Sequence, residues 1–501
     1  MQQSPRTLAT RTEQDSMGAM PVPADALFGA STQRAVLNFP ISGRPVPSAI
    51  IVAFAELKKA AAKVNNDLGR LDDRRATLIE RACDAIAAGL PSQGGLEKHF
   101  PIDIFQTGSG TSTNMNVNEV VANLVCLELG KPIGSSKDPA YLDAGGVHPN
   151  DHVNMGQSSN DTFPTAMHLA AAAAITRDLL PALDRMASKL EQHAAAWDHI
   201  VKIGRTHLQD ATPIRLGQEF SGYGAQIRHA RRRLDHALAS LAELALGGTA
   251  VGTGINTHPE FGARVAAQLT RALSKITKDG GTGVSPVKAS PAFREAANHF
   301  EAQNAKDAIV ETSGVLKTIA VSLSKISSDI RLMGMGPRCG IGELILPAIQ
   351  PGSSIMPGKV NPVMCEAVMM LACQVVGADA AITMGAMGGV GSLLDLNVAM
   401  PMMADNLLSA ITLLANGADA FTNNLLEDLK PDEARCAELI EKSLAMCTSL
   451  APVIGYDKAS ALAKQAFKEG KTVRQVAQEM KLMPKAELDK FLDPMSMTEP
   501  S

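Results

Sequence analysis

The feature that most constrains this chain is a helical period recurring through its middle. Leu316, Ile319, Leu323, Ile326, Ile330 and Met333 fall three and four residues apart, the spacing that puts apolar side chains on one face of an α-helix. Ile175, Leu179, Leu183, Met186 and Leu190 repeat it, as do Leu234, Leu238, Leu241 and Ala245. Val368, Leu371 and Val375 begin a fourth run, and Leu407, Ile411 and Leu414 a fifth. Five long helices between about 160 and 425, joined by Gly/Pro-containing loops and interrupted by no linker-like stretch, predict an elongated bundle. Composition points the same way. Of 501 residues 45% are hydrophobic but only 3% aromatic, with one Trp and three Tyr. The apolar mass is therefore Ala, Leu, Val, Ile and Met, which favours helix over a β-sandwich.

The bundle is flanked by two smaller regions. Before it, helical spacing runs from about Ile50 to Ala88 and from Glu119 to Leu129, between loop-like stretches at Thr12–Arg34, Pro91–Phe105 and Gly130–Asp151. The first eleven residues, MQQSPRTLATR, predict a short disordered tail. After it, LKPDEAR near Leu429 opens a more charged region of short helices. The predicted domains are 1–155, 156–428 and 429–501. A net charge of −4 gives no reason to invoke nucleic acid or an anionic membrane. The seven cysteines are odd in number and scattered, with no CxxC pair, which reads as reduced thiols and not as a disulfide framework or a zinc site. No apolar run is read as long enough to span a membrane, and the N-terminus lacks the apolar core of a signal peptide.

Four polar stretches interrupt this apolar scaffold. Thr107–Glu119 offers Ser109, Thr111, Asn114, Asn116 and Asn118 around Gly108 and Gly110, groups that suit a carboxylate or that cap a helix starting near Asn118. His148–Thr165 holds the HPND turn and then Ser158, Ser159 and Asn160 before an Ala-rich helix, again anion donors or caps, the cap falling to Asn160 or Asp161. Gly204–Glu219 carries His207 in a Gly/Pro-bounded loop; a lone His is more often a structural hydrogen bonder, and gains catalytic value only with a carboxylate partner. Gln350–Val363, QPGSSIMPGKVNPV, is a shaped loop. Pro351, Pro357 and Pro362 forbid a continuous helix, and Gly352 and Gly358 permit backbone angles other residues avoid. It presents Ser353, Ser354, Lys359 and Asn361, and Glu366 follows in the next helix as a reasonable partner for His207.

No stretch has metal-ligand spacing, and no nucleotide loop fits. The glycine-rich 247–254 follows a helix and lacks the phosphate-binding lysine. Hydroxyls, amides, one lysine and one candidate His–Glu pair suit proton abstraction beside a carboxylate, followed by loss of a leaving group. The dianionic intermediate needs donors and a cation where charge develops, with one base and one acid.

GSSIMPGKVNP at 352–362 resembles the signature of the fumarase/aspartase superfamily, and the resemblance extends through VPADALFGASTQRA, GGTAVGTGINTHP and IGYDKA. Within it the chain is similar to class II fumarate hydratases. It has TGSGT, SSNDTFPT and MPGKVNP where aspartases tend to GAGT, STNDAYPT and MPAKVNP. The resemblance implies an all-α, three-domain subunit with a central long-helix bundle, assembled as a homotetramer whose active sites draw on three subunits. It implies reversible trans hydration of fumarate to L-malate, a tricarboxylic acid cycle step, without metal or organic cofactor. The scattered cysteines and the short polar N-terminus favour the cytoplasm over the mitochondrion. By motif, Ser353 is the base that removes the malate C3 proton. His207, polarised by Glu366, protonates the departing hydroxyl. Lys359 and Asn361 hold a carboxylate and the developing aci-carboxylate. Ser109, Gly110, Thr111, Ser158, Ser159, Asn160, Thr206, Ser354 and Val360 position the rest. A secondary anion site would lie at His148, Asn150 and Asp151, although Gly145 and Met155 stand where the family favours basic residues, and LLDLN at 393–397 departs from the family's FELN. The alternatives are an aspartate ammonia-lyase or related amine-eliminating lyase, and a non-enzymatic structural protein on the same scaffold. Intact Ser353, His207, Lys359 and Glu366 argue against the latter.

Overall fold

The computed structural model describes residues 9–279 and 291–500. The chain opens with an antiparallel hairpin, β1 (Thr10–Asp15) and β2 (Gly18–Pro23). The longer helices that follow are α1 (Ala30–Asn38), α2 (Ser48–Asp67), α3 (Asp73–Ala87) and α4 (Thr111–Glu128). Next come α5 (Ser159–Ala174) and α6 (Leu180–Ala196), joined by a π-helical turn at Ile175–Leu179. A second hairpin, β3 (Val201–Thr206) and β4 (Gln209–Arg215), leads into α7 (Leu216–Leu241), then α8 (Phe261–Asp279) and α9 (Asp307–Met333). The short strand β5 (Leu344–Ile345) precedes α10 (Val363–Ala386) and α11 (Met400–Phe421), and pairs with β6 (Lys430–Pro431). The chain finishes in short helices that include α12 (Glu433–Lys442), α13 (Tyr456–Glu469), α14 (Val473–Glu479) and α15 (Lys485–Phe491).

Every helix marked by period is present. The difference is α8, which the five-helix expectation omits although Val265, Leu269 and Leu273 carry the same spacing and are buried. The Thr12–Arg34 stretch is ordered as β1, β2 and the start of α1, so the expected tail stops short of Thr10; residues 1–8 lie outside the described residues. α4 begins at Thr111, well before Asn118. Asn114, Asn116 and Asn118 are inside the helix and buried, their poor helix propensity overridden by tertiary contacts such as Asn116 Nδ2 to the His99 carbonyl (2.9 Å). The statement that no apolar run reaches membrane-spanning length is also corrected. By length and composition α10 is long and apolar enough, and only 33% of its most apolar window is buried within the chain. The core helix of a soluble protein passes the same test.

The chain forms two compact units. The first comprises Met1–Pro181, Arg233–Lys317 and Gln374–Leu414. Its core includes Phe54 and Phe163, packed edge to face with ring centroids 5.8 Å apart. The second comprises Ala182–Arg232, Thr318–Cys373 and Ala415–Ser501. There His193 stacks on Trp197 at 4.1 Å, and Phe220 meets the Trp197 ring edge-on at 4.7 Å. A smaller cluster of Ile440, Leu450, Leu462, Val476 and Leu488 packs α12–α15 together.

Candidate active site

Within the second unit, the proline- and glycine-rich loop is closed at its neck. Gly352 N donates to the Lys359 carbonyl (2.9 Å), and Asn361 Nδ2 donates to the Gly352 carbonyl (2.7 Å). A Cβ at residue 352 would stand 2.3 Å from the Lys359 oxygen, so this close approach requires glycine. Inside the neck, Ser353 Oγ accepts the backbone N–H groups of Met356 (3.0 Å) and Ile355 (3.2 Å). Two fixed donors aimed at one hydroxyl oxygen would stabilise negative charge there, which is what a serine needs to act as a base. Ser353 is half-buried, whereas Ser354, Lys359 and Val360 are exposed.

His207 stands at the tip of the β3–β4 hairpin and not in an open loop. With Leu208 it forms a two-residue turn, φ 56° and 59°, the conformation that suits strand twist and that non-glycine residues adopt only at a cost. Thr206 ends β3 beside it, paired with Gln209. Glu366 lies in the first turn of α10, exposed. Among the described residues neither the His207 nor the Glu366 side chain has a hydrogen bond or ion pair, so the expected His207–Glu366 pair is not formed within one chain.

Within the first unit, the start of α4 and the start of α5 are joined by a chain of hydroxyls. Ser109 Oγ lies 2.8 Å from Thr111 Oγ1, which lies 2.7 Å from Ser159 Oγ. Gly110 caps α4 at φ +74°; a Cβ there would stand 1.9 Å from the Phe163 ring. α5 is capped by Ser158 in a capping box with Asp161, not by Asn160 or Asp161 alone. Asn160 Nδ2 donates to the Ala250 carbonyl (2.8 Å). Two helix N-termini with their hydroxyls grouped make a setting for a carboxylate.

Two buried groups lie beneath these caps: Asp161, legible in the sequence only as a cap, and Lys58, which escapes sequence reasoning. Asp161 is fully buried and accepts N–H donors from Ser158 (2.9 Å), Thr249 (2.9 Å) and Gly247 (3.2 Å). Burial pushes its carboxyl up to about 6 against those donors. The glycine-rich 247–254 loop thus spends N–H groups on an internal carboxylate. Lys58 of α2 is also fully buried; its Nζ donates to Asn154 Oδ1 (2.8 Å), which also accepts from Asn114 Nδ2 (3.2 Å). Burial pulls Lys58 down to about 7, partly opposed by Asp161. The available signal was a lysine one residue after buried Leu57, within an Ala-rich apolar run.

At the HPND turn, His148 Nδ1 accepts the N–H groups of Asp151 (3.1 Å) and Asn150 (3.3 Å), so those donors are already engaged. Burial lowers the His148 pKa, consistent with an unprotonated acceptor. Gly145 has φ +84°, and a Cβ there would stand 2.9 Å from Arg74 Nη1: a guanidinium from α3 occupies that space.

The sequence matches the family model described as "Lyase" over residues 18–377 and that described as "Fumarase C C-terminus" over 446–499. It is 49% identical to a class II fumarate hydratase of Nitrosomonas europaea, over 98% of this chain and 99% of that one. It is 51% identical to a class II fumarate hydratase of Halobacterium salinarum over 97% of each. The fold superimposes on the crystal structure of a recombinant class II fumarase from Schistosoma mansoni with a TM-score of 0.91 at 38% identity, covering 98% of this chain and 100% of that one. With a helical architecture, the closed GSSIMPGKVNP loop and near full-length identity of about half, the chain belongs to the class II fumarate hydratase family of lyases.

Proposed function

We propose that this protein catalyses the reversible trans addition of water to fumarate, giving L-malate. The observation that carries the reading is Ser353, whose oxygen is set between two backbone N–H donors in a loop that also presents Lys359 and Asn361. In the malate-to-fumarate direction Ser353 takes the C3 proton. The electron pair moves into the adjacent carboxylate, forming an aci-carboxylate, and Lys359 with Asn361 hold that charge. The C2–O bond then breaks, and His207, oriented by Glu366, delivers the proton that lets the hydroxyl leave as water. Ser109, Gly110, Thr111, Ser158, Ser159, Asn160, Thr206, Ser354 and Val360 bind and orient the dicarboxylate. The HPND turn, with His148, Asn150, Asp151 and the nearby Arg74, is a secondary anion site in this reading. The subunit divides at 155 and 428 and works as a cytoplasmic homotetramer, its sites completed by neighbouring copies.

Two features support the assembly. Among the described residues the His207 and Glu366 side chains lack partners, and α10 leaves Met370 (68% exposed) and Met384 (51%) uncovered. The test is Ser353→Ala at saturating L-malate, following the ultraviolet absorbance of the fumarate double bond. The expected fall in kcat is on the order of 10²- to 10⁴-fold. An unchanged rate would remove Ser353 from the mechanism.

A further inference from the structure

His207 sits on a hairpin whose base is locked by a buried carboxylate. Glu343 is fully buried, and its two oxygens each accept a 2.9 Å hydrogen bond from Arg205, one from Nη1 and one from Nη2. Lys202 Nζ lies 3.3 Å from Glu343 Oε2 and 2.8 Å from Glu219 Oε2. Residues 202 and 205 of a regular strand would face opposite sides. Here the register shifts between Ile203 and Arg205: Gly204 faces two residues of β4, Ala211 and Thr212, which form the bulge, and across this irregularity both cations reach Glu343. A Cβ at Gly204 would stand 2.7 Å from the Thr212 carbonyl, so the strand facing the bulge needs glycine there.

The far side of the clamp is equally fixed. The Glu343 carbonyl accepts Asp432 N (2.9 Å), β5 pairs with β6, and Arg435 donates to the carbonyls of Ile341 (2.9 Å) and Gly340 (2.9 Å). Arg205 is two residues from His207, whose turn is held in a costly left-handed conformation and is exposed on its outer side. A short exposed turn of that kind keeps its geometry only while its base is braced. Burying two charged groups, Glu343 and Lys202, is an expensive way to gain stability alone, and such groups are best attested where they fix register.

We propose that Glu343 is a positioning residue for His207: through Arg205 and the bulged base of the hairpin it fixes the height and direction at which the imidazole meets the leaving hydroxyl. The proposal rests on His207 being the acid of the hydratase reaction. It predicts a separation between two steps. Removing the C3 proton needs Ser353 but not His207, whereas expelling the hydroxyl needs both.

The experiment uses the full-length wild type, Glu343→Gln, Arg205→Lys and, as benchmark, His207→Asn, each given L-malate in D2O. Two rates are read: deuterium entering C3 of unreacted malate, and fumarate formed. A misplaced imidazole lowers fumarate formation on the order of 10²-fold, with malate KM and C3 exchange within about twofold of wild type. Glu343→Gln and Arg205→Lys then share the imbalance of His207→Asn. Variants that keep wild-type fumarate formation overturn the proposal, as do variants in which both rates fall in equal proportion, the signature of lost folded enzyme. Should Glu343→Gln be insoluble, Arg205→Lys decides, because it keeps a cation opposite Glu343. Insolubility of both makes the pair a folding determinant and also overturns the positioning role. A wild type that forms no fumarate from malate would instead sink the hydratase reading, and shows before any variant is compared.

Discussion

Replacing Lys58 with methionine tests how strongly the first unit's interior perturbs a charge. Lys58 is fully buried with one hydrogen bond, to Asn154, and burial brings its pKa from 10.5 down to about 7. The folded chain therefore gives up this proton about 3.5 pH units earlier than the unfolded chain. Below pH 7 the ammonium is charged in both states and its burial costs the fold most. Between about 7 and 10.5 the unfolded chain binds the extra proton, so stability rises with pH by about 1.4 kcal/mol per unit. The methionine variant lacks this gain. Urea unfolding of both proteins at pH 8 and pH 9.5, at one fixed protein concentration because assembly contributes to stability, should show the difference between them moving by about 2 kcal/mol in favour of the lysine protein (about 1.4 kcal/mol for each of 1.5 units). Asp161, raised to about 6, has finished titrating below this window and does not contribute. A difference that stays constant across that range would refute the reasoning: Lys58 would then hold an ordinary lysine pKa, by water or by a closer approach to Asp161.

Further outcomes follow from the same geometry. Gly110→Ala places a methyl against the Phe163 ring at a positive-φ cap, and should cost about 2–4 kcal/mol in thermal or urea unfolding; an effect below about 0.5 kcal/mol would mean the α4 cap shifts freely. Met370→Glu puts a charge on the uncovered face of α10, and should shift the protein to smaller species in sedimentation if copies of the chain cover that face. An unchanged sedimentation profile would contradict that packing.

The bundle was legible because period survives without context: residues such as Leu316, Ile319 and Leu323 need only face one way. The β3–β4 hairpin was not. Its turn is His207–Leu208, without the Asn or Gly that signals such turns, and β4 contains Pro213, which reads as a breaker. The start of α4 was obscured by three asparagines that favour caps until buried partners claim them. Ser353, Lys359 and Asn361 could be singled out from the loop's composition, but the two N–H groups on Ser353 are a property of backbone path alone. Lys58 and Glu343 were invisible for a related reason: each looks like a surface charge until the fold buries it. The expected contact between His207 and Glu366 is absent among the described residues, so residue types alone did not settle that pairing.

The most direct test of the account is to offer the wild-type enzyme L-malate and L-aspartate separately, at equal concentration, and to follow the fumarate double bond by its ultraviolet absorbance. Fumarate from malate, with none above background from aspartate, is the predicted result. Fumarate from aspartate alone would contradict it and make the chain an amine-eliminating lyase.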